Sequence, residues 1–222
     1  LDSIRNTHLQ NSGIVKGPVN SEKAIVWLSY NVHGNESSST EAAMKTAHAL
    51  LTKYSDWLKD TIVIIDPCIN PDGRDRYVNF YNQTKSTPYD SNGLTREHRE
   101  SWHNGRSNHY MFDLNRDWAW LTQLESEQRV KKYNLWLPHI HVDFHEQGIN
   151  NPYYFAPAAE PLHEVITNFQ IDFQDAIGKN HASYFDKEGW FYFTKQNFDL
   201  LYPSYGDSYP MFLGSIGMTY EQ

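Results

Sequence analysis

The chain has 222 residues, a length that suits one α/β domain with a sizeable core and a preformed cleft. Its formal net charge of −8 argues against a nucleic-acid partner, because phosphate binding requires clustered Lys and Arg. No apolar stretch is long enough to span a membrane. We therefore expect residues 1–222 to form a single domain.

The first third of the chain predicts a strand–helix–strand unit. Ala24–Tyr30 is an apolar run with polar residues on both sides, which predicts a buried strand. Residues 37–54 begin with Ser and Thr and carry Ala, Met and Leu at helical spacing, which indicates a helix. Thr61–Asp66 is a second, β-branched run. This succession is typical of a largely parallel sheet.

The middle of the chain combines a long polar segment with two regular elements. Residues 70–118 are rich in Asn, Asp, Gly, Ser and Arg, and we interpret them as an irregular loop of the kind that carries function. Residues 123–136 predict a helix, and residues 139–146 alternate as a strand does. One face of that strand carries His139, His141, Asp143 and His145.

The last third predicts an amphipathic helix over residues 162–179, followed by the segment 190–193, an aromatic loop over 202–209 and a final strand from Ser215. The chain starts at Leu1 without a signal-like stretch and stops inside that last strand. We interpret it as a domain that is truncated at both ends.

Cys68 is the only cysteine of the chain. An internal disulfide is therefore excluded, and cysteine usage leaves the redox compartment open. Because Cys68 follows an apolar run, we interpret it as a small buried thiol and not as a nucleophile.

Candidate metal ligands lie where two predicted strands end. His33 and Glu36 are three residues apart after the first strand, and the turn at Gly34 lets both side chains face one ion. Catalytic Zn²⁺ takes imidazole nitrogen and carboxylate oxygen from three protein ligands and keeps a position for water. His145 is the candidate third ligand, because it ends its strand at the edge where α/β proteins bind ligands. His139, further back on the same face, is an alternative, as is His141.

Five motifs, taken in order, resemble the zinc carboxypeptidase family. They are His33-Gly34-Asn35-Glu36, Asn70-Pro71-Asp72-Gly73, Asp113-Leu114-Asn115-Arg116, Asp143-Phe144-His145 and Thr219-Tyr220-Glu221. Each motif is weak alone, but together they cover most of the chain in the family's order. The resemblance implies a three-layer α/β/α fold with a mixed, mostly parallel twisted sheet of about eight strands. It also implies one Zn²⁺ held by His33, Glu36 and His145.

The resemblance also implies roles around the metal. Asp113 resembles the carboxylate that receives the second N–H of the first zinc histidine, a contact that fixes the ring's tautomer. Glu221 resembles the general base. Glu146 is a local alternative, although strand alternation turns it away from His145.

Further residues resemble the family's substrate-binding groups. Asn115 and Arg116 resemble the pair that binds the free carboxylate of a peptide, for which a planar guanidinium is well suited. Arg106 resembles the arginine that polarises the scissile carbonyl, with Arg99 as the alternative. Tyr202 resembles the tyrosine of the mobile lid, with Tyr205 as the alternative.

The implied function is a secreted or periplasmic zinc peptidase that removes C-terminal residues from peptides or proteins, with one zinc ion per chain. Three alternatives stay open: a zinc amidohydrolase or deacylase, a hydrolase of cell-wall peptides, and a non-catalytic module that binds zinc or peptide. Family domains usually have further strands before the first zinc motif and continue beyond the base, which fits the interpretation of a partial catalytic domain.

Overall fold

The computed structural model describes residues 1–222 and contains eight β-strands and six α-helices. The strands are β1 (Ala24–Tyr30), β2 (Thr61–Asp66), β3 (Ile140–His145), β4 (Tyr153–Tyr154), β5 (Ala159–Leu162), β6 (Tyr192–Phe193), β7 (Asp199–Leu200) and β8 (Ile216–Glu221). The helices are α1 (Asp2–Asn11), α2 (Ser38–Thr52), α3 (Pro71–Thr84), α4 (Leu124–Trp136), α5 (Asn168–Glu188) and α6 (Ser208–Phe212). Three short 3₁₀ helices cover Ser55–Lys59, Arg96–His98 and Leu114–Arg116.

Six of the strands form one sheet in the order β2-β1-β3-β8-β4-β6. The first four run parallel, β4 is antiparallel to β8, and β6 is parallel to β4. β5 and β7 pair in a separate two-stranded sheet. The α/β class with a mixed, mostly parallel sheet is confirmed, and the eight strands are divided between two sheets.

Helices cover both faces of the six-stranded sheet, so the fold has three layers. On one face, α4 contributes Tyr133 to a core with Trp27 and Trp118. On the other face, Val142 and Met218 pack together under α5. β3 lies at the centre of the sheet and its side chains alternate between the two cores, as the sequence predicts. The strand therefore directs its polar residues, including His145, to the α4 face.

One prediction was wrong in the segment interpreted as irregular: Pro71–Thr84 forms helix α3. Asn70 caps this helix, because its Oδ1 accepts a hydrogen bond from the Gly73 N–H at 2.9 Å. Pro71 occupies the first turn, where its fixed φ suits the helix. The helix has polar residues on nearly all sides, so its sequence lacks the apolar periodicity that would reveal it.

The helix predicted over residues 162–179 is also displaced, since α5 covers Asn168–Glu188. Thr167 and Gln170 form a reciprocal capping box that fixes its start. Gly189 fixes its end with a φ of 71°. The preceding residues belong instead to β5 and a turn.

Every helix is too short or too polar to span a bilayer.

Cys68 is half-buried, and its thiol lies 3.3 Å from the Asn31 Oδ1. Burial raises the pKa of the Cys68 thiol, which lowers its reactivity as a nucleophile. This agrees with the interpretation of Cys68 as a structural residue, although it is less buried than expected.

Candidate metal centre

His33, Glu36 and His145 come together at the carboxyl edge of the sheet. Their candidate ligand atoms all lie within 4.8 Å of one another. Glu36 stands between the two rings, with Oε1 2.6 Å from the His33 Nδ1 and Oε2 3.0 Å from the His145 Nδ1. Both histidines are buried. The three predicted ligands are therefore adjacent, and their donor set of two imidazoles and one carboxylate fits Zn²⁺.

The turn after β1 holds the first two of these residues. Asn31 adopts a φ of 61°, which Asn tolerates better than most residues. Its side-chain amide donates hydrogen bonds to the carbonyls of His33 and Glu36 at 2.9 and 3.0 Å. The backbone of the turn is thereby fixed from inside, and both side chains are directed to the same point.

The start of α3 supports this turn from the other side. Asn70 donates from Nδ2 to the carbonyl of Val32 at 3.2 Å. Gly34 packs so closely that a Cβ there would collide with the backbone of Gly73 and Arg74. The motif that starts at Asn70 therefore contributes no ligand, but its packing supports the turn that carries His33 and Glu36.

The outward ring nitrogens of both histidines face carboxylates. His33 Nε2 lies 3.1 Å from Asp113 Oδ1, and His145 Nε2 lies 3.1 Å from Asp143 Oδ2. A histidine that donates its outer N–H to a carboxylate keeps the lone pair of its other nitrogen for a metal. The residues present therefore fit a divalent cation. The sequence analysis gave Asp143 no role, although this residue opens the fourth motif and lies two residues before His145 on the same strand face.

The charges around the cluster also favour a cation. Burial alone would raise the pKa of Glu36, but His145 and His33 bring it well below its usual range. Burial alone would lower the pKa of His145, but Asp143 and Glu36 raise it well above its usual value. The carboxylates of Glu36, Asp143 and Asp113 surround the two imidazoles, and their negative charge favours a cation at this position.

Strand pairing brings Glu221 to the same site. In the parallel register of β3 and β8, His145 is paired with Glu221. Burial raises the pKa of Glu221 to about 7. A carboxyl group with a pKa near the working pH is well suited to general acid–base chemistry. Glu146 also borders the cavity, but its Oε2 accepts hydrogen bonds from the Ser38 N–H and hydroxyl at 3.1 and 2.6 Å.

A cavity of about 410 Å³ opens above the cluster, and Glu221 lines it together with the three candidate ligands. Only two of its 15 lining residues, Phe198 and Tyr205, are hydrophobic. The cavity is therefore built for a polar or charged group and not for a purely apolar ligand.

Two of the predicted arginines line this cavity. Arg106 donates from Nε to Asp113 Oδ2 at 3.0 Å, and its guanidinium lies 3.3 Å from the His33 Nδ1. The Arg116 Nη1 donates to the carbonyl of Asn115 at 2.9 Å. Arg99, the alternative to Arg106, is not among the lining residues. Of the two arginines that line the cavity, Arg106 is the one in contact with a candidate ligand.

The aromatic loop places its two candidate tyrosines differently. Tyr205 lines the cavity, and its ring lies 4.5 Å from the Arg116 guanidinium. Tyr202 is not a lining residue; its hydroxyl accepts a hydrogen bond from the Trp120 indole N–H at 2.6 Å. The two rings are 4.9 Å apart. In this conformation Tyr205, the alternative, is the tyrosine next to the candidate substrate groups.

The alternative histidine ligands lie elsewhere. His141 is fully buried against Trp118, and burial lowers its pKa to about 4. His139 belongs to a second group at the opposite end of the strand, where its Nε2 lies 3.5 Å from Glu22 Oε1. Glu22 Oε2 lies 3.0 Å from the His8 Nδ1 in the same group. The sheet thus has a His-Glu-His group at each end of β3, both with candidate ligand atoms within 4.8 Å of one another.

Comparison with sequence families gave one match, to a model described as zinc carboxypeptidase, over residues 3–136. This range contains the first two candidate ligands, Asp113, Asn115 and Arg116, and ends before His145. No curated protein matched the chain.

Solved structures with the same fold include a metallo-carboxypeptidase from Burkholderia cenocepacia, with 17% identity and a TM-score of 0.61 over 93% of the chain. Another is a carboxypeptidase A from Helicoverpa armigera, with 17% identity and a TM-score of 0.58 over 97% of the chain. The match covers 50% and 53% of these two proteins, so the chain spans about half of their length. At this identity the likeness establishes the fold.

Proposed function

The chain belongs to the zinc carboxypeptidase family, and we propose that it acts as a zinc-dependent peptidase that hydrolyses the C-terminal peptide bond of its substrates. One observation carries the proposal. His33, Glu36 and His145 converge on one point, and Glu221, with a pKa raised by burial to about 7, lies beside them in the same cavity. A metal-ligand set next to a carboxylate of this pKa is the arrangement that amide hydrolysis requires.

In the proposed site, His33 and His145 would hold zinc through Nδ1, and Glu36 would hold it through its carboxylate. Bound zinc would supply Lewis acidity toward a water molecule and toward the carbonyl of the scissile bond. Asp113 accepts the Nε2–H of His33, which keeps that ring in the metal-binding tautomer.

Glu221 is the proposed general base. Its carboxylate removes a proton from the attacking water and then delivers that proton to the leaving amine. Burial in the cavity wall supports this role, because it raises the proton affinity of the carboxylate.

The cationic side chains act on the substrate in this proposal. Arg106, next to the metal cluster, stabilises the negative charge that develops on the carbonyl oxygen. Arg116 and Asn115 bind the free C-terminal carboxylate, for which a bidentate guanidinium contact is favourable. Tyr205 or Tyr202 would close over that end of the substrate. Location in the periplasm or outside the cell stays a prediction.

Peptides that differ only in a free or an amidated C-terminus test the proposal. With protein purified without chelator, we expect release of single residues from the free-acid peptide and much slower release from the amide, because the amide lacks the charge that Arg116 binds. Mass spectrometry of the products measures both. Cleavage at internal bonds, or equal rates on the two peptides, would contradict a carboxypeptidase and favour an amidohydrolase or an endopeptidase.

A further inference from the structure

Asp143 has a contact that the proposed reaction does not use. It is completely buried on β3, and its Oδ2 lies 3.1 Å from the outer nitrogen, Nε2, of His145. A role for this contact rests on the proposed function, because it concerns how His145 is prepared to bind a cation.

The outer nitrogen of His145 has two possible hydrogen-bond partners with opposite effects. If Nε2 carries the proton, it donates to Asp143 Oδ2, and Nδ1 keeps its lone pair toward Glu36 and the metal position. If Nε2 is unprotonated, it can accept from the Asn115 Nδ2, which lies 3.4 Å away. In that tautomer Nδ1 carries the proton and cannot bind a metal.

The position of Asp143 decides between these states. Its Oδ2 lies 3.1 Å from Nε2, and the side chain is completely buried beside the His145 ring. An ionised carboxylate only accepts hydrogen bonds, so an unprotonated Nε2 would place two acceptors against each other. The Asn115 amide is further from Nε2 and carries no net charge. The carboxylate contact is therefore the stronger of the two.

We propose that Asp143 is a positioning residue that holds the proton of His145 on Nε2 and so directs the Nδ1 lone pair to the zinc site. Each of the two proposed zinc histidines then has a carboxylate at its Nε2, Asp113 for His33 and Asp143 for His145. The two carboxylates differ in surroundings. The side chain of Asp113 is 23% exposed, and its carboxylate also pairs with Arg106. The side chain of Asp143 is 0% exposed, and His145 is its one direct hydrogen-bond partner.

The packing around Asp143 fixes this geometry. Gly206 of the aromatic loop lies against it so closely that a Cβ there would collide with Asp143 Oδ2. The same glycine donates its N–H to the Asn115 Oδ1 at 2.7 Å, which orients the competing amide. The carboxylate consequently has little freedom to turn away from the His145 ring.

Zinc affinity in Asp143→Asn measures this role. The asparagine keeps the size of the side chain but removes its charge, and its amide can stabilise the wrong tautomer. We expect zinc to bind about 10–100-fold more weakly than to the wild type, as is typical when such an outer partner is lost. Competition with a chromogenic chelator gives the dissociation constant.

Asp66→Asn is the matched control. Asp66 lies on β2 at the same level of the sheet as Asp143, because Ser29 of β1 pairs with Asp66 on one side and with Asp143 on the other. It does not touch either metal-binding histidine, so its substitution is expected to leave zinc affinity within about twofold of the wild type. Thermal unfolding of the metal-free proteins checks that both variants are folded.

A second measurement does not depend on any variant of Asp143. In the zinc-loaded wild type, long-range ¹H–¹⁵N spectra with His145 identified by His145→Gln should show a proton on Nε2. Binding through Nε2, or equal zinc affinity of Asp143→Asn and wild type, would overturn the inference and leave the metal site standing. A wild type that binds no zinc would instead overturn the proposed function, and the inference with it.

Discussion

The two His-Glu-His groups at opposite ends of β3 have the same composition and different surroundings. At the carboxyl edge of the sheet, the outer nitrogens of His33 and His145 both face carboxylates. At the other end, the His8 Nε2 donates to the carbonyl of Leu137 at 2.6 Å, but the His139 Nδ1 accepts the N–H of Ile25 at 3.0 Å. Only in the first group does each histidine turn Nδ1 to the shared glutamate and Nε2 to a second carboxylate.

The different partners of the two groups show that ligand types and the distances between them do not by themselves make a metal site. Because His139 accepts a backbone N–H on Nδ1, its neutral ring carries the proton on Nε2, the atom that faces Glu22. A metal there would have to displace that proton. We interpret this second group as structural, since His8 is the one buried residue of α1 and its ring joins that helix to the base of the sheet.

The largest expected effect separates the two groups by metal content. We expect one zinc per chain in the wild type, none in His145→Ala and one in His139→Ala, because only His145 has a second carboxylate that can accept its Nε2–H and so leave Nδ1 for the metal. Elemental analysis after dialysis gives the stoichiometry. Two zinc ions in the wild type, with one lost in each variant, would show that both groups bind metal.

A second pair of variants contrasts the carboxylates near each group. Glu221→Gln should reduce peptidase activity about 10²–10⁴-fold, the range typical for loss of a general acid–base group, and should keep its zinc. Glu22→Gln should leave activity unchanged, because Glu22 lies at the far end of the sheet. Rates on a free-acid peptide and metal analysis of the same samples measure both. An unchanged rate in Glu221→Gln would remove Glu221 from the mechanism.

A third test concerns Asp113, the carboxylate next to the Nε2 of His33. Asp113→Asn should weaken zinc binding about 10–100-fold, because the ring loses an ionised acceptor for its Nε2–H. His8→Gln, which alters the other group, is the control and should not change zinc affinity. Chelator competition measures both variants, and equal loss in the two would contradict the assigned difference.

The smallest expected effect is a pH dependence of stability at the second group. Burial and the neighbouring His8 lower the pKa of His139, so the folded chain favours the neutral ring. The stability that this provides is present above the unfolded-state pKa and is lost as pH falls through the folded-state pKa. His139→Asn can still accept the Ile25 N–H without titrating. Between pH 7 and 5 its Tm should therefore fall less than that of the wild type, and parallel curves would contradict the interpretation.

Local sequence patterns predicted the central strands well and the polar segments poorly. β1 and β2 have the predicted bounds, because apolar and β-branched runs have few alternatives to a buried strand. α3 was missed because its residues are polar on most sides, and its stability comes from Asn70 and from packing under the turn at Gly34. α5 was displaced because a capping box fixed its start more strongly than hydrophobic periodicity did.

Residue types and their order along the chain already indicated which side chains can do the chemistry. Ordered motifs indicated His33, Glu36, His145 and Glu221, and strand alternation placed His145 on a polar face. Their neighbours follow from the tertiary structure. The β3–β8 register places Glu221 beside His145, and Arg106 and Tyr205 line the cavity. Asp143 contacts the Nε2 of His145. The reason is physical. A tautomer, a raised pKa or an open lone pair depends on which groups a side chain meets across the fold, and spacing along the chain does not record those contacts.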